Sequence, residues 1–240
     1  MSTLFGDSVH LTDGGMETTL IYHDGLDLPD FAAFTVLATD EGRAALAAYY
    51  DAYLAVAEAH ALPIVLDTPT WRASSDWGAR LGYSEAQLAE VNREAVAFLR
   101  DAATGRAVRV VSSGAVGPRG DGYVAGELMT TAEARSYHAS QVEALAAAGI
   151  ELVSAITMTY AVEAAGIALA AADAGVPVAI SFTVETDGRL PPARRLGRRS
   201  RRSMPRPVLC RSTTWSTART RRTSPTRWPR LRRAACAVFA

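Results

Sequence analysis

Five stretches of the sequence place polar residues directly after a short apolar, β-branched run. They are Asp13-Gly14-Gly15 in TDGGMETTL, Asp67-Thr68 in VLDTPT, Ser113-Gly114 in VVSSGAV, Thr157 in AITMTY and Thr183 to Glu185 in SFTVET. A carboxylate at a strand end accepts hydrogen bonds from an amine, and a glycine pair beside it lets the backbone approach a ligand. TDGG also fits a tight turn with an aspartate cap, and both readings stand at this point. The stretch is no phosphate loop, since it has neither GxGxxG nor a Walker lysine. Asp67 reads equally as a site carboxylate or as the cap of the following turn. His10, His23, His60 and His138 show no ligand spacing and read as structural or surface residues; His138 lies one position from a helical core stripe. Glu163 suits the positive end of its helix and can equally face the site. GPRGDGY is a turn-rich loop whose Arg-Gly-Asp triplet is a chance match.

The elements that must position these residues alternate. SVHLTDGG, PIVLDTPT, VRVVSSGAVGP, IELVSAITM and VPVAISFTVE each read as a strand buried on both faces. Between them lie Ala/Leu/Glu-rich helices with clear punctuation. Ser84 and Gln87 form a capping-box pattern, with Tyr83 and Leu88 spaced for a hydrophobic staple, and Leu88, Val91, Ala95, Phe98 and Leu99 make one apolar stripe ending at Gly105. Thr130 and Glu133 repeat the box ahead of the face Ala134, Tyr137, Gln141, Val142 and Leu145; a further helix ends at Gly175. Such alternation predicts a doubly wound sheet or a (β/α) barrel, with ligands bound beyond the carboxyl ends of the strands.

Charge divides the chain sharply. Its formal net charge is zero, yet all 25 acidic residues precede residue 188, whereas 15 of the 25 arginines lie in residues 191–240 and lysine is absent. Both cysteines, Cys210 and Cys236, fall in that basic segment, so a disulfide or thiolate cluster within residues 1–190 is excluded. The sequence has neither a secretory leader nor a run of 18 apolar residues, from which a cytoplasmic protein without a membrane partner is expected.

Taken in order, LTDGGMETTL, DTPTWRASSDWGARLGYS, GAVGPRGDGY, YHASQVEALAAAGIELVSAITM and ISFTVETDGRLP resemble the homocysteine S-methyltransferase family, from Val9 to Leu190. The resemblance implies an α/β fold: an incomplete (β/α)8 barrel with about five parallel strands in residues 1–190, followed by an irregular basic tail in 191–240. It implies transfer of a methyl group from an onium donor (S-methylmethionine, S-adenosylmethionine or a betaine) to homocysteine, giving methionine, so the expected partners are small molecules. It further implies that Asp13 and Gly14 hold the amino-acid end of the acceptor and that Thr157 and Glu163 are the family's threonine and downstream glutamate. Many members carry a glutamate where this chain has Ile156. The family's zinc is held by three cysteines, in an Asn-Cys and a Gly-Gly-Cys-Cys motif; neither motif is present, which implies a chain inactive in transfer, and Cys210 matches neither.

The basic tail reads as the family's own coding sequence translated out of frame. When the third base of each codon is joined to the first two of the next, residues Thr214 to Ser224 permit Met-Val-Asn-Cys-Ala-His-Pro-Pro-His-Phe, which contains the missing Asn-Cys motif. The slip is placed near residues 191–197. The alternatives are an inactive barrel fragment, or a tail that binds nucleic acid through phosphates with Trp215 and Trp228 stacking on bases. With the strands ending near residue 185, the edges of the first and fifth strands are expected to be unpaired.

Overall fold

The computed structural model describes residues 4–5, 9–184, 190–191 and the backbone of 237–239. Cys210, Cys236, Trp215, Trp228 and Glu185 lie outside the described residues, as does nearly all of the basic tail. β1 (Leu11–Thr12) leads through α1 (Met16–Tyr22) and two 3-10 segments (Pro29–Phe31, Ala33–Ala38) to α2 (Asp40–Ala59). There follow β2 (Ile64–Asp67), α3 (Ser75–Arg80), α4 (Glu85–Ala103), β3 (Val110–Val116), α5 (Thr131–Ala147), β4 (Leu152–Met158), α6 (Ala161–Asp173), β5 (Val178–Phe182) and β6 (Ala237–Phe239).

β1 to β5 are parallel and lie side by side in chain order. A doubly wound sheet reverses its strand order at a switch point, and this sheet has no reversal, so the barrel reading holds and the doubly wound one does not. The register agrees. Val65 lies beside Val111, Ser113 beside Leu152 and Ser154 beside Ala179, so the inward-facing positions climb from strand to strand, the stagger that barrel closure demands. Along that face chemistry changes with height: Val65, Val111, Leu152 and Ala179 form an apolar layer, with Leu4 and Phe5 packed on it. Asp67, Ser113 and Ser154 lie above it, toward the carboxyl ends.

One sequence expectation fails here. The edge of β5 is not bare: Ala237–Phe239 pairs with it antiparallel, Val178 opposite Phe239. A free sheet edge presents a row of unpaired peptide groups that any extended backbone can match, and three residues at the end of a polar segment suffice.

On the outer face, helices cover the sheet with two apolar cores, one around Leu46, Tyr50, Leu54 and Leu99, the other around Val142, Leu145, Met158 and Ile167. Both predicted capping boxes form, Ser84 with Gln87 and Thr130 with Glu133. Ser84→Ala removes the cap of a 19-residue helix and should cost about 1 kcal/mol of unfolding free energy in urea titrations; an unchanged midpoint would show that tertiary packing alone sets where α4 starts. α5 and α6 approach closely because Gly166 has no side chain: a Cβ there would stand 2.4 Å from the Ala134 Cβ.

Candidate functional site

The strand ends carry a cluster of carboxylates. Asp13 follows β1 and is buried; its Oδ1 accepts the Asp67 N–H at 3.2 Å and its Oδ2 the Tyr49 hydroxyl at 3.1 Å. TDGG is therefore more than a turn with a capped end, because Asp13 bonds across to β2 and α2. Gly15 supplies the turn, at φ 69°. Gly14 needs no such freedom, and a Cβ on it would meet nothing within 4 Å; its carbonyl accepts the Tyr53 hydroxyl at 2.7 Å. Space is thus left open beside the Gly14 backbone.

Asp67 closes β2. Its Oδ1 is enclosed and has no hydrogen-bond partner, while its carbonyl accepts the Tyr50 hydroxyl at 2.8 Å. Burial pushes the Asp67 carboxyl up to about 6, against the pull of the Ser113 and Ser154 hydroxyls, which lie 2.6 Å from each other. Burial also raises Asp13 well above the carboxylate range, and the Asp67 charge raises it further. Glu17, in the first turn of α1, is raised in turn by burial and by Asp67, with Arg72 opposing. The Tyr49 and Tyr50 phenols are driven up by burial and by the Asp13 charge and stay neutral donors. Three carboxyl groups near one another, Asp13 buried and Glu17 and Asp67 half-buried, suit a cationic ligand group, whose charge would favour their ionised forms.

The other expected residues divide. Thr157 stands at φ 60°, a conformation β-branched residues rarely adopt, where the β4–β5 register shifts between Ala155 and Met158. Its hydroxyl bonds the Ile156 carbonyl at 2.6 Å, and Gly122 of the β3–α5 loop lies against it. Glu163 is buried. It accepts the Arg119 N–H at 2.7 Å and pairs with His138 Nε2 at 3.0 Å. His138, expected to be packed or partly exposed, has no solvent exposure. Glu163 therefore positions the GPRGDG loop over the strand ends. Thr68 and Thr70 tie the β2–α3 loop to Ala115 of β3, and the Thr183 hydroxyl donates to the Gly122 carbonyl.

Spacing did not single out the tyrosines of α2, Glu17 or the pair Trp71-Arg72. The signal was there: Tyr49 and Tyr53 sit four residues apart in an alanine-rich helix, so one helix face points two hydroxyls at the β1 end. An open cleft of about 820 Å³ lies between α3 and the β3–α5 loop, lined by Asp76, Trp77, Arg80, Arg119, Gly120 and Asp121; none of the strand-end carboxylates lines it.

The zinc that the resemblance implies finds no site among the described residues. Among the described residues no three His, Cys, Asp or Glu side chains converge to hold a metal ion, and both cysteines lie outside them. Nor, among the described residues, is any helix long and apolar enough to cross a membrane.

Comparison with known proteins agrees with the geometry. The sequence profile of homocysteine S-methyltransferase matches residues 10–197. No curated protein matches the chain. Among solved structures, the metallated form of the homocysteine methyltransferase MmuM from Escherichia coli superposes with a TM-score of 0.62 at 22% identity, over 77% of this chain and 66% of that one. Its oxidized form gives 0.64 at 21% identity, over 79% and 67%. The chain thus spans about two thirds of the length of these structures, which share its fold. With five parallel strands in barrel order and a profile match over most of its length, the chain belongs to the homocysteine S-methyltransferase family.

Proposed function

We propose that residues 1–190 are the acceptor-binding part of a homocysteine S-methyltransferase, and that this chain as written does not complete the transfer. The observation that carries the reading is the Asp13–Asp67 pair at the carboxyl ends of β1 and β2, where the Asp67 N–H donates to Asp13 Oδ1, Asp67 Oδ1 is buried with no hydrogen-bond partner among the described residues, and burial raises both carboxyls. The ammonium of homocysteine fits there, with Gly14 giving its backbone approach. Thr157 shapes the floor through its strained backbone, and Glu163 holds the roof loop.

In the family reaction the acceptor sulfur, as thiolate, gives an electron pair to the donor's methyl carbon. The new C–S bond forms as the methyl bond to the onium sulfur or nitrogen breaks, and that pair neutralises the donor. The thiol proton passes to solvent. Positive charge disappears along the path, so a dry site of low polarity favours it. The donor is one of S-methylmethionine, S-adenosylmethionine or a betaine. We assign the reaction to methionine formation in the cytoplasm, where thiols stay reduced.

The tail completes the proposal: residues beyond about 197 are an out-of-frame reading of the remaining strands. The profile match ends at residue 197, beside the slip placed at 191–197, which supports this. The decisive experiment compares the present gene with one restored to frame by a single-base change. The restored protein should form methionine from homocysteine and at least one of S-methylmethionine, S-adenosylmethionine and glycine betaine in a zinc-dependent manner, and the present chain should form none with any of them. Turnover by the present chain, or none by the restored one, would overturn the proposal.

A further inference from the structure

Among the described residues most arginines are paired with an acid. Arg43, Arg80, Arg93, Arg106, Arg109, Arg119 and Arg135 form ion pairs with Glu94, Asp30, Glu90, Asp51, Glu151, Asp76 and Asp173 in turn. Arg100 has no acid but is exposed, bonding the Gly149 carbonyl. Arg72 is different: it is 5% exposed and makes no salt bridge with any described residue. Among the described residues its hydrogen-bond partner is neutral, with Nη1 donating to the Gly120 carbonyl at 3.0 Å, and its Nε is buried without a partner. Two rings sandwich the guanidinium, with its Cζ 4.0 Å from the centroid of Trp71 and 3.6 Å from that of Trp77.

This arrangement is expensive to maintain for packing alone. Two tryptophan faces soften the loss of hydration but leave a whole charge unpaired, and an uncompensated buried charge destabilises a fold strongly. Arginine does not escape by losing its proton. Burial lowers the Arg72 pKa, and the acids that oppose this, Asp121, Glu17 and Asp30, act through space without touching it. What the stack gains is orientation: it fixes the plane of a fork that matches a carboxylate in two hydrogen bonds.

The position suits an anion held beside the carboxylate cluster. Arg72 follows β2 by five residues, and Glu17 feels both its charge and that of Asp67. Trp71, the first ring of the sandwich, bonds the Ile156 carbonyl at the end of β4 at 3.4 Å, and Trp77 and Gly120 form part of the wall of the open cleft. Beyond the strand ends, three carboxyl groups, Asp13, Glu17 and Asp67, thus lie within electrostatic reach of one another, and the Arg72 guanidinium within reach of Glu17. That is the charge pattern of an α-amino-acid zwitterion.

We propose that Arg72 is the specificity-determining residue that binds the α-carboxylate of the amino-acid ligand, opposite the ammonium held by Asp13 and Asp67. The proposal rests on the acceptor-binding reading above for its second half, and the test separates the two. Binding of three thiols is measured by calorimetry on the full chain: homocysteine, 4-mercaptobutanoate (no ammonium) and 3-mercaptopropan-1-amine (no carboxylate). Arg72→Lys keeps the charge and loses the planar fork; circular dichroism and melting temperature establish that it folds. It should bind homocysteine and 4-mercaptobutanoate about tenfold or more weakly, with the amine unchanged. Asp13→Asn should show the opposite pattern. If Arg72→Lys weakens all three thiols alike, or none, or if the parent chain does not bind 4-mercaptobutanoate, the Arg72 proposal fails. If only Asp13→Asn fails to discriminate, the ammonium reading fails and the Arg72 proposal stands. Glycine betaine, tested in parallel, identifies the source of the carboxylate. Arg72-dependent binding of betaine but not of 4-mercaptobutanoate would move the site to the methyl donor and overturn the assignment to the acceptor.

Discussion

Asp67→Asn should be more stable than the parent by about 3 kcal/mol at neutral pH, although it removes a residue of the proposed site. The parent holds the Asp67 carboxyl at about 6 because burial penalises its ionised form. In the unfolded chain the same group titrates near its ordinary value of 3.8. The sign follows from which state holds the proton. Between those two values the folded protein binds more protons than the unfolded one, so raising the pH draws the equilibrium toward unfolding. The group's contribution to stability is full below about 3.8 and lost as pH rises through about 6. An asparagine has nothing to titrate, so its advantage should be absent in acid and complete at neutrality. Urea unfolding at about pH 4 and about pH 7 measures both limbs. Equal stability of the two proteins at neutral pH would mean that Asp67 is hydrated and not enclosed, and the cation-binding argument would fall with it. The expected outcome is a fold strained by its own site, stabilised by a mutation that should abolish ligand affinity.

Glu163→Ala should act in the opposite direction, lowering stability by about 2–5 kcal/mol. Two partners lose their acceptor at once, the Arg119 amide and the His138 ring, and His138 has no solvent exposure. Its Nδ1 already lacks a partner, so the ring would be left with no hydrogen bond among the described residues. Glu163→Gln keeps one acceptor oxygen and should recover most of the loss. Trypsin offers a second readout, because Arg119 lies in the loop that Glu163 holds: cleavage at this bond should accelerate in the alanine variant and not in the glutamine one. Native stability combined with lost ligand binding in Glu163→Ala would show instead that this carboxylate touches the ligand.

These two residues also mark how far the sequence could be read. Periodicity and punctuation sufficed for the elements: the Ser84 and Thr130 boxes start their helices where expected, and strands buried on both faces announced themselves as unbroken apolar runs. The strand order could not be read, since alternation alone suits a barrel and a doubly wound sheet equally; the staggered register decides it. Asp13 stood out as a candidate because a carboxylate beside two glycines after a strand is an unusual local pattern, although a capped turn fitted it equally. Asp67 was ambiguous, because whether a strand-end aspartate caps a turn or faces a site depends on what lies across the sheet. Glu163, Arg72 and Tyr49 depend wholly on such distant neighbours: His138 is 25 residues from Glu163, and Tyr49 is 36 from Asp13. The left-handed Thr157 left no trace in sequence, because threonine does not ordinarily take that conformation.

The strict chain order of the sheet bears on how this protein is made. Each new strand pairs with the one just synthesised, and no pairing in β1 to β5 waits for a distant segment. Contacts of low sequence separation form quickly, and chains emerging from a ribosome fold from the amino end. Each βα unit can therefore dock as it leaves the exit tunnel, on a surface already in place. By the time residue 183 has emerged, the carboxylate cluster, the stacked arginine and the roof loop all have the partners described above, whatever the ribosome reads next.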